Sequence, residues 1–285
     1  MSMVFVGEVD VNYAYLIWIF LAFATLFGFL RKVFLCWASA LICVAFALAF
    51  GRLSAFALLY LSAGMGLAFY IRVVKPSRAI GAIGWTVIIL WALALATHIV
   101  PGFENLKVLN SEISKTQSAP FTLYLNLDKP AVFFALLVAL PNLFGKPRHF
   151  QRISVGIIYA ALSSLLFLAA FLGEVHFRVG LPQWWLLFAV NNLLFTCVAE
   201  ESFFRAFLQQ KLIGRLGAVQ GLVVASVLFG LAHLAGGWTL VIFATLAGAG
   251  YGLTFCLTGR LWAAVLMHFT FNFTHLAFFT YPHSI

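Results

Sequence analysis

The chain has 285 residues, of which 64% are hydrophobic and 17% aromatic, while only 9% carry a formal charge. A soluble domain is about a quarter charged, so this composition excludes a water-soluble globular protein and leaves a membrane protein, to be counted in spans. The net charge of +9 would suit nucleic acid only if it gathered on one face, and its spread along the chain argues against that partner.

A helix crossing a hydrocarbon core of about 30 Å needs roughly 20 apolar residues. In chain order, such runs occupy 13–30, 33–51, 53–74 and 79–100. A shorter run, 130–144, contains Pro141, and five more follow at 153–172, 184–210, 218–236, 239–257 and 260–280. The pattern predicts an all-α, polytopic transmembrane helix bundle of about ten spans (eight to ten). It divides into N-terminal helices over 1–150, with a polar loop near 101–129, and a second half, 151–285, that carries the chemistry-bearing residues. The N-terminus is acidic (Glu8, Asp10) where a cleavable signal would be basic, so the first run is expected to remain as a span.

Charge placement supports ten crossings with both termini outside. The turns then assigned to the inside hold Arg31, Lys32, Arg72, Lys75, Arg78, Lys146, Arg148, Arg152, Lys211, Arg215 and Arg260, the larger part of the 17 Lys and Arg. Arg52, Lys107, Lys115, Lys129 and Arg178 fall outside, with Glu8, Asp10, Glu104, Glu112, Asp128 and Glu174. This is the positive-inside bias of an integral, multi-pass protein, in the cytoplasmic membrane if the chain is bacterial, with lipids as partners and no nucleic acid. Cys36, Cys43, Cys197 and Cys256 all lie in apolar runs and read as small buried hydrophobes. Trp18, Trp85, Trp184, Trp185, Trp238 and Trp262 lie near span ends and suit aromatic belts. The polar segment 101–129 reads as a connector, and His98, His149, His176 and His283 as interfacial residues.

One span breaks the apolar pattern. The stretch "CVAEESFFRAFLQQ" (197–210) carries Glu200, Glu201 and Arg205, each costing about 2.5–3.5 kcal/mol at mid-membrane if ionised. Residues four apart share a helix face and adjacent ones diverge by about 100°. Glu201 and Arg205 can therefore neutralise one another, whereas Glu200 needs a partner from another helix. A buried carboxyl of that kind suits a general base. Partners are at hand: His233 follows Phe229 by one turn in "FGLAH", and His268 and Asn272 share a face of the last span in "HFTFN", with His275 seven beyond His268. Bringing His233 near mid-membrane calls for a span that starts at Gly221 or Leu222, with "QKLIGRLGAVQ" at the interface.

These three motifs, EESFFR, FGLAH and HFTFN, in that order and spacing over roughly 184–280, resemble the CPBP intramembrane proteases, the Abi/Rce1-type CAAX prenyl endopeptidases and bacteriocin-immunity proteins. The resemblance implies an intramembrane endopeptidase acting on membrane-embedded or lipidated peptides. It implies that Glu200 and His233 activate a water, and that His268 and Asn272 stabilise the oxyanion. Glu201 and Arg205, with Phe229 and His275, take supporting places. No cofactor is expected. Zinc held by Glu200, His233 and His268 is the alternative, disfavoured by the cation at Arg205 and by the lack of an HExxH pair on one helix. Two other readings stay open: a proton-coupled transporter relaying protons through Glu200, His233 and His268, and a non-catalytic peptide-binding immunity protein. A transporter of this size would more often show repeated halves, and none is visible.

Overall fold

The computed structural model describes residues 9–285, with side chains from Tyr13 onward. Glu8 and the side chain of Asp10 lie outside the described residues, and with them the placement expected of the acidic N-terminus. Among the described residues there are ten helices: α1 Val9–Phe29, α2 Val33–Ala49, α3 Ala55–Val74, α4 Arg78–Ala96, α5 Ala131–Ala139, α6 Arg152–Phe171, α7 Trp185–Leu216, α8 Ala218–Leu231, α9 Gly237–Thr258 and α10 Leu261–Phe278. Two short strands, β1 Leu106–Glu112 and β2 Phe121–Leu125, pair in a two-stranded sheet between α4 and α5.

Six helices have the length and hydropathy of membrane spans, namely α3, α4, α6, α7, α10 and Leu234–Thr258, which is α9 with its leading turn. Three more, Tyr13–Phe29, Val33–Ala49 and Ala218–Leu231, are apolar but shorter. Large apolar side chains lie bare on these helices, with Phe34 81%, Ile153 81% and Phe171 86% exposed. Such a surface is stable only against lipid, and the protein is an integral, multi-pass membrane protein. The run 130–144 is helical over nine residues only, about 14 Å of rise and under half of a hydrocarbon core. Its cause is local. Leu140 precedes Pro141 and adopts φ −113°, ψ 106°, since the proline ring disfavours α geometry in the residue before it.

Residues 1–106 and 124–141 form one compact unit, and 107–123 with 142–285 form another. In the first, Ser54 caps α3 by accepting from the Ala57 amide, and α5 is buried through Val132, Phe133, Phe134, Leu136 and Ala139. The start of α5 is fixed by Asp128, which is 1% exposed. Its carboxylate accepts from His98 Nδ1 at 2.7 Å and from Asn105 Nδ2 at 3.3 Å. His98, expected to be a plain interfacial residue, is thus the partner of a buried acid. Gly64 is a contact residue of the α3–α4 packing. A Cβ there would overlap the indole of Trp91, whose Nε1 donates to the Tyr60 carbonyl at 3.0 Å. Because that ring is pinned, Gly64→Ala is expected to cost about 1–3 kcal/mol by overpacking, read as a lowered midpoint in thermal unfolding.

In the second unit the polar segment is more than a connector. The loop 113–120 between the strands docks on the end of α10 and on the tail that follows it. Ala119 N donates to the His283 carbonyl, and Ser114 Oγ to the Tyr281 carbonyl at 2.7 Å. Lys115 Nζ donates to the carbonyls of Leu276 and Phe279, acceptors that a helix C-terminus leaves unmatched. Burial lowers the Lys115 amine from its ordinary 10.5 to about 8, outweighing the attraction of a helix C-terminus for a cation. An open loop returns the amine to water and its ordinary range. Between pH 8 and 10.5 the open form therefore holds more protons, and closure strengthens as pH rises through that window. Amide exchange over 113–120, corrected for intrinsic rates, is expected to slow across it, and Lys115→Met is expected to remove the dependence.

Candidate functional site

The site is built on α7, which does not keep α-helical register. Asn191–Cys197 and Ser202–Gln209 are π-helical, with Val198–Glu201 as a single α-turn between them. Turns of i→i+5 type insert extra residues into a helix and concentrate at functional sites. Here they flank Glu200 and Glu201.

Glu201 and Arg205 are both 0% exposed and form the pair that their spacing predicts, with Arg205 Nε donating to Glu201 Oε2 at 3.0 Å. The other carboxylate oxygen is also taken. Glu201 Oε1 lies 2.9 Å from His268 Nδ1, so that nitrogen carries a proton and donates it. Glu201 is accordingly the junction of the first and third motifs. A role confined to Arg205, as the spacing suggests, is corrected to one shared with His268. Glu200 is half-buried one residue earlier, and it acts electrostatically on Cys197 and Tyr251.

Phe229 is the packing centre. Its ring lies 4.9 Å from the Arg205 guanidinium carbon, 5.1 Å from Phe204, 4.8 Å from His233 and 5.8 Å from His268. The second motif therefore meets the other two through one aromatic ring. His233 is not within the long helix that its apolar run suggests. The helix α8 begins at Ala218, directly after Gly217 with φ +90°. It spans fourteen residues, about 21 Å, and ends at Leu231. His233 follows in a turn, N-terminal to the 3-10 turn Leu234–Gly236. The "QKLIGRL" stretch continues α7. His233 Nδ1 lies 2.8 Å from the Phe229 carbonyl. A carbonyl only accepts, so Nδ1 holds the proton and Nε2 of the neutral ring is the basic nitrogen.

Asn272 Nδ2 donates to Asn192 Oδ1 at 3.2 Å. His275 turns to the tail, with Nε2 3.1 Å from the Thr280 carbonyl and its ring 5.0 Å from Tyr281. It secures the end of α10 and makes no hydrogen bond with Glu201 or His268. Two side chains at the site escaped the sequence reading. Tyr251 stacks on His268 at 4.4 Å and 14°, and its signal was a single phenol in the small-residue run "TLAGAGYG" (245–252). Asn192 belongs to an asparagine pair inside an apolar run, "VNNLLF" (190–195).

Among the described residues no three His, Cys, Asp or Glu side chains converge as a ligand set. Glu201 is engaged at both oxygens, and the contacts of His268 and His233 are made through Nδ1, which leaves Nε2 of each ring outside them.

A family model described as Type II CAAX prenyl endopeptidase Rce1-like matches residues 182–274. This stretch is similar to that family. It covers about a third of the chain and includes α7, α8, α9 and most of α10, with Glu200, Glu201, Arg205, Phe229, His233, His268 and Asn272. His275 lies one residue beyond it. No curated protein and no solved structure matches the chain.

Proposed function

We propose that the Rce1-like stretch hydrolyses peptide bonds of membrane-embedded or lipidated substrates through a glutamate-activated water, without a metal. The observation that carries this reading is the engagement of both Glu201 oxygens, one by Arg205 and the other by His268. A carboxylate held by two donors serves as a counter-ion, and general-base work falls to its neighbour Glu200. His233, with Nδ1 committed to the Phe229 carbonyl, offers Nε2 as the second basic group. Water oxygen attacks the scissile carbonyl carbon as its proton passes to the Glu200–His233 pair. The tetrahedral oxyanion is met by His268 and Asn272. It collapses with cleavage of the C–N bond, and the held proton goes to the departing amine.

The geometry refines one role. With Nδ1–H given to Glu201, His268 can donate from Nε2 only as the imidazolium, whose charge would rest against the Glu201 carboxylate. The oxyanion is then met by one charged donor, His268, and one neutral amide, Asn272.

The test uses the full chain in lipid with membrane-spanning and prenylated peptides, the latter because the matched family is described by that substrate. Glu200→Gln and His233→Ala are each expected to lower kcat at least 100-fold, the lower end of general acid–base contributions, with thermal stability retained. Cleavage is expected to survive chelators. Inhibition by EDTA reversed by zinc overturns the metal-free mechanism. Proton flux without cleavage replaces the reading with a transporter, and peptide binding without cleavage replaces it with an immunity protein.

A further inference from the structure

Asn272 has to present the correct end of its amide. The N and O ends are nearly equal in size, so rotation by half a turn about its terminal bond replaces a donor by an acceptor at little steric cost. A carbonyl turned toward a developing oxyanion repels it, and only the amide nitrogen helps. Something must select between the two.

Asn192 is placed to do so. It is 9% exposed and lies on the first π-helical segment. Its Oδ1 accepts from Asn272 Nδ2 at 3.2 Å and from Cys197 Sγ at 3.3 Å. An amide oxygen has two lone pairs, and here both are in use. Cys197 donates its S–H, which holds the Asn192 oxygen toward Asn272. That oxygen cannot donate, so it accepts only the amino end of Asn272. One N–H is thereby bound and the second, diverging from it, remains for the reaction. The π turns make this possible. Residues five apart on an α-helix point about 140° away from each other, whereas the i→i+5 register of Asn191–Cys197 brings Asn192 and Cys197 to one face. His268 and Asn272 of α10 are then both oriented from α7, His268 by Glu201 and Asn272 by Asn192.

We propose that Asn192 is a positioning residue, with Cys197 behind it, that fixes the amide of Asn272 with its nitrogen toward the scissile carbonyl. This rests on the reading of Asn272 as an oxyanion donor. The test is a double-mutant cycle on the full chain in lipid with a peptide that the parent cleaves. Asn192→Leu preserves shape and removes the acceptor, and is expected to lower kcat roughly 10- to 100-fold, below the 100- to 1,000-fold typical of losing a donor outright, with KM within about twofold. Asn272→Ala is expected to show that full loss, and the double variant to be no slower than Asn272→Ala alone. Asn192→Asp keeps an acceptor oxygen in either protonation state and is expected to stay within about tenfold of the parent, which carries the test even if the leucine variant unfolds. Losses that multiply in the double variant, or an Asn192→Asp protein as slow as Asn272→Ala, overturn the proposal while leaving the peptidase reading intact. A parent that cleaves nothing, or an unimpaired Asn272→Ala, removes the peptidase reading or its oxyanion donor, and this proposal with it.

Discussion

Arg205→Met is expected to destabilise the protein by about 3–5 kcal/mol, the cost of stripping one partner from a buried ion pair. Both Arg205 and Glu201 are 0% exposed, so neither charge has water to fall back on and added salt has little to screen. Methionine fills most of the space and keeps contact with Phe229, 4.9 Å from the guanidinium carbon. The loss is therefore electrostatic, with a smaller part from the cation–π contact. Thermal unfolding in lipid, repeated at low and high salt, measures it. A second variant separates stability from chemistry. Replacing both residues, Arg205→Met with Glu201→Leu, removes the stranded carboxylate and is expected to regain most of the lost stability, because apolar substitutes for a buried pair are often neutral. The double variant is nonetheless expected to be inactive, since His268 Nδ1 has lost the Glu201 oxygen at 2.9 Å that orients it. A single Arg205→Met protein within about 1 kcal/mol of the parent would mean that the pair is not the electrostatic unit described here.

The contrast between that pair and its neighbours shows what a sequence can reveal. Glu201 and Arg205 are four apart on one helix, and the constraint that joins them is local, so their contact was legible from spacing. The longer apolar runs were legible for the same reason, because the six helices of spanning length answer to the thickness of a bilayer rather than to their neighbours. The second half of Glu201's coordination was not legible. His268 lies 67 residues away, and no periodicity reports which of two faces on separate helices will meet. Asn192 was missed because its placement depends on π turns, which leave no mark in a 3.6-residue period. His233 was read as a mid-helix residue because an apolar run shows no break at Ala232. The break instead follows from closing a turn into α9. The strap over α10 was hidden because Ser114, Lys115 and Ala119 bond to main-chain carbonyls, and main-chain acceptors have no identity in a sequence.

His268→Phe is expected to lower kcat by about 100- to 1,000-fold, the range for losing a single oxyanion donor, while KM changes little. The choice of phenylalanine isolates chemistry from packing. His268 stacks on Tyr251 at 4.4 Å and meets the edge of Phe229 at 5.8 Å, and a phenyl ring keeps both contacts. What disappears is the Nδ1–H that Glu201 Oε1 accepts and the Nε2–H that the oxyanion would accept. The first loss leaves one buried carboxylate oxygen without that donor, for about 1–3 kcal/mol of stability, less than Arg205→Met costs because Arg205 still neutralises the charge. The second acts only when negative charge develops on the scissile carbonyl, so it belongs to the transition state and enters kcat and kcat/KM equally. Steady-state cleavage at several peptide concentrations, alongside thermal unfolding, reads the two losses separately. A rise in KM with kcat unchanged would make His268 a substrate-binding group instead, and the oxyanion would then have to be met by Asn272 alone.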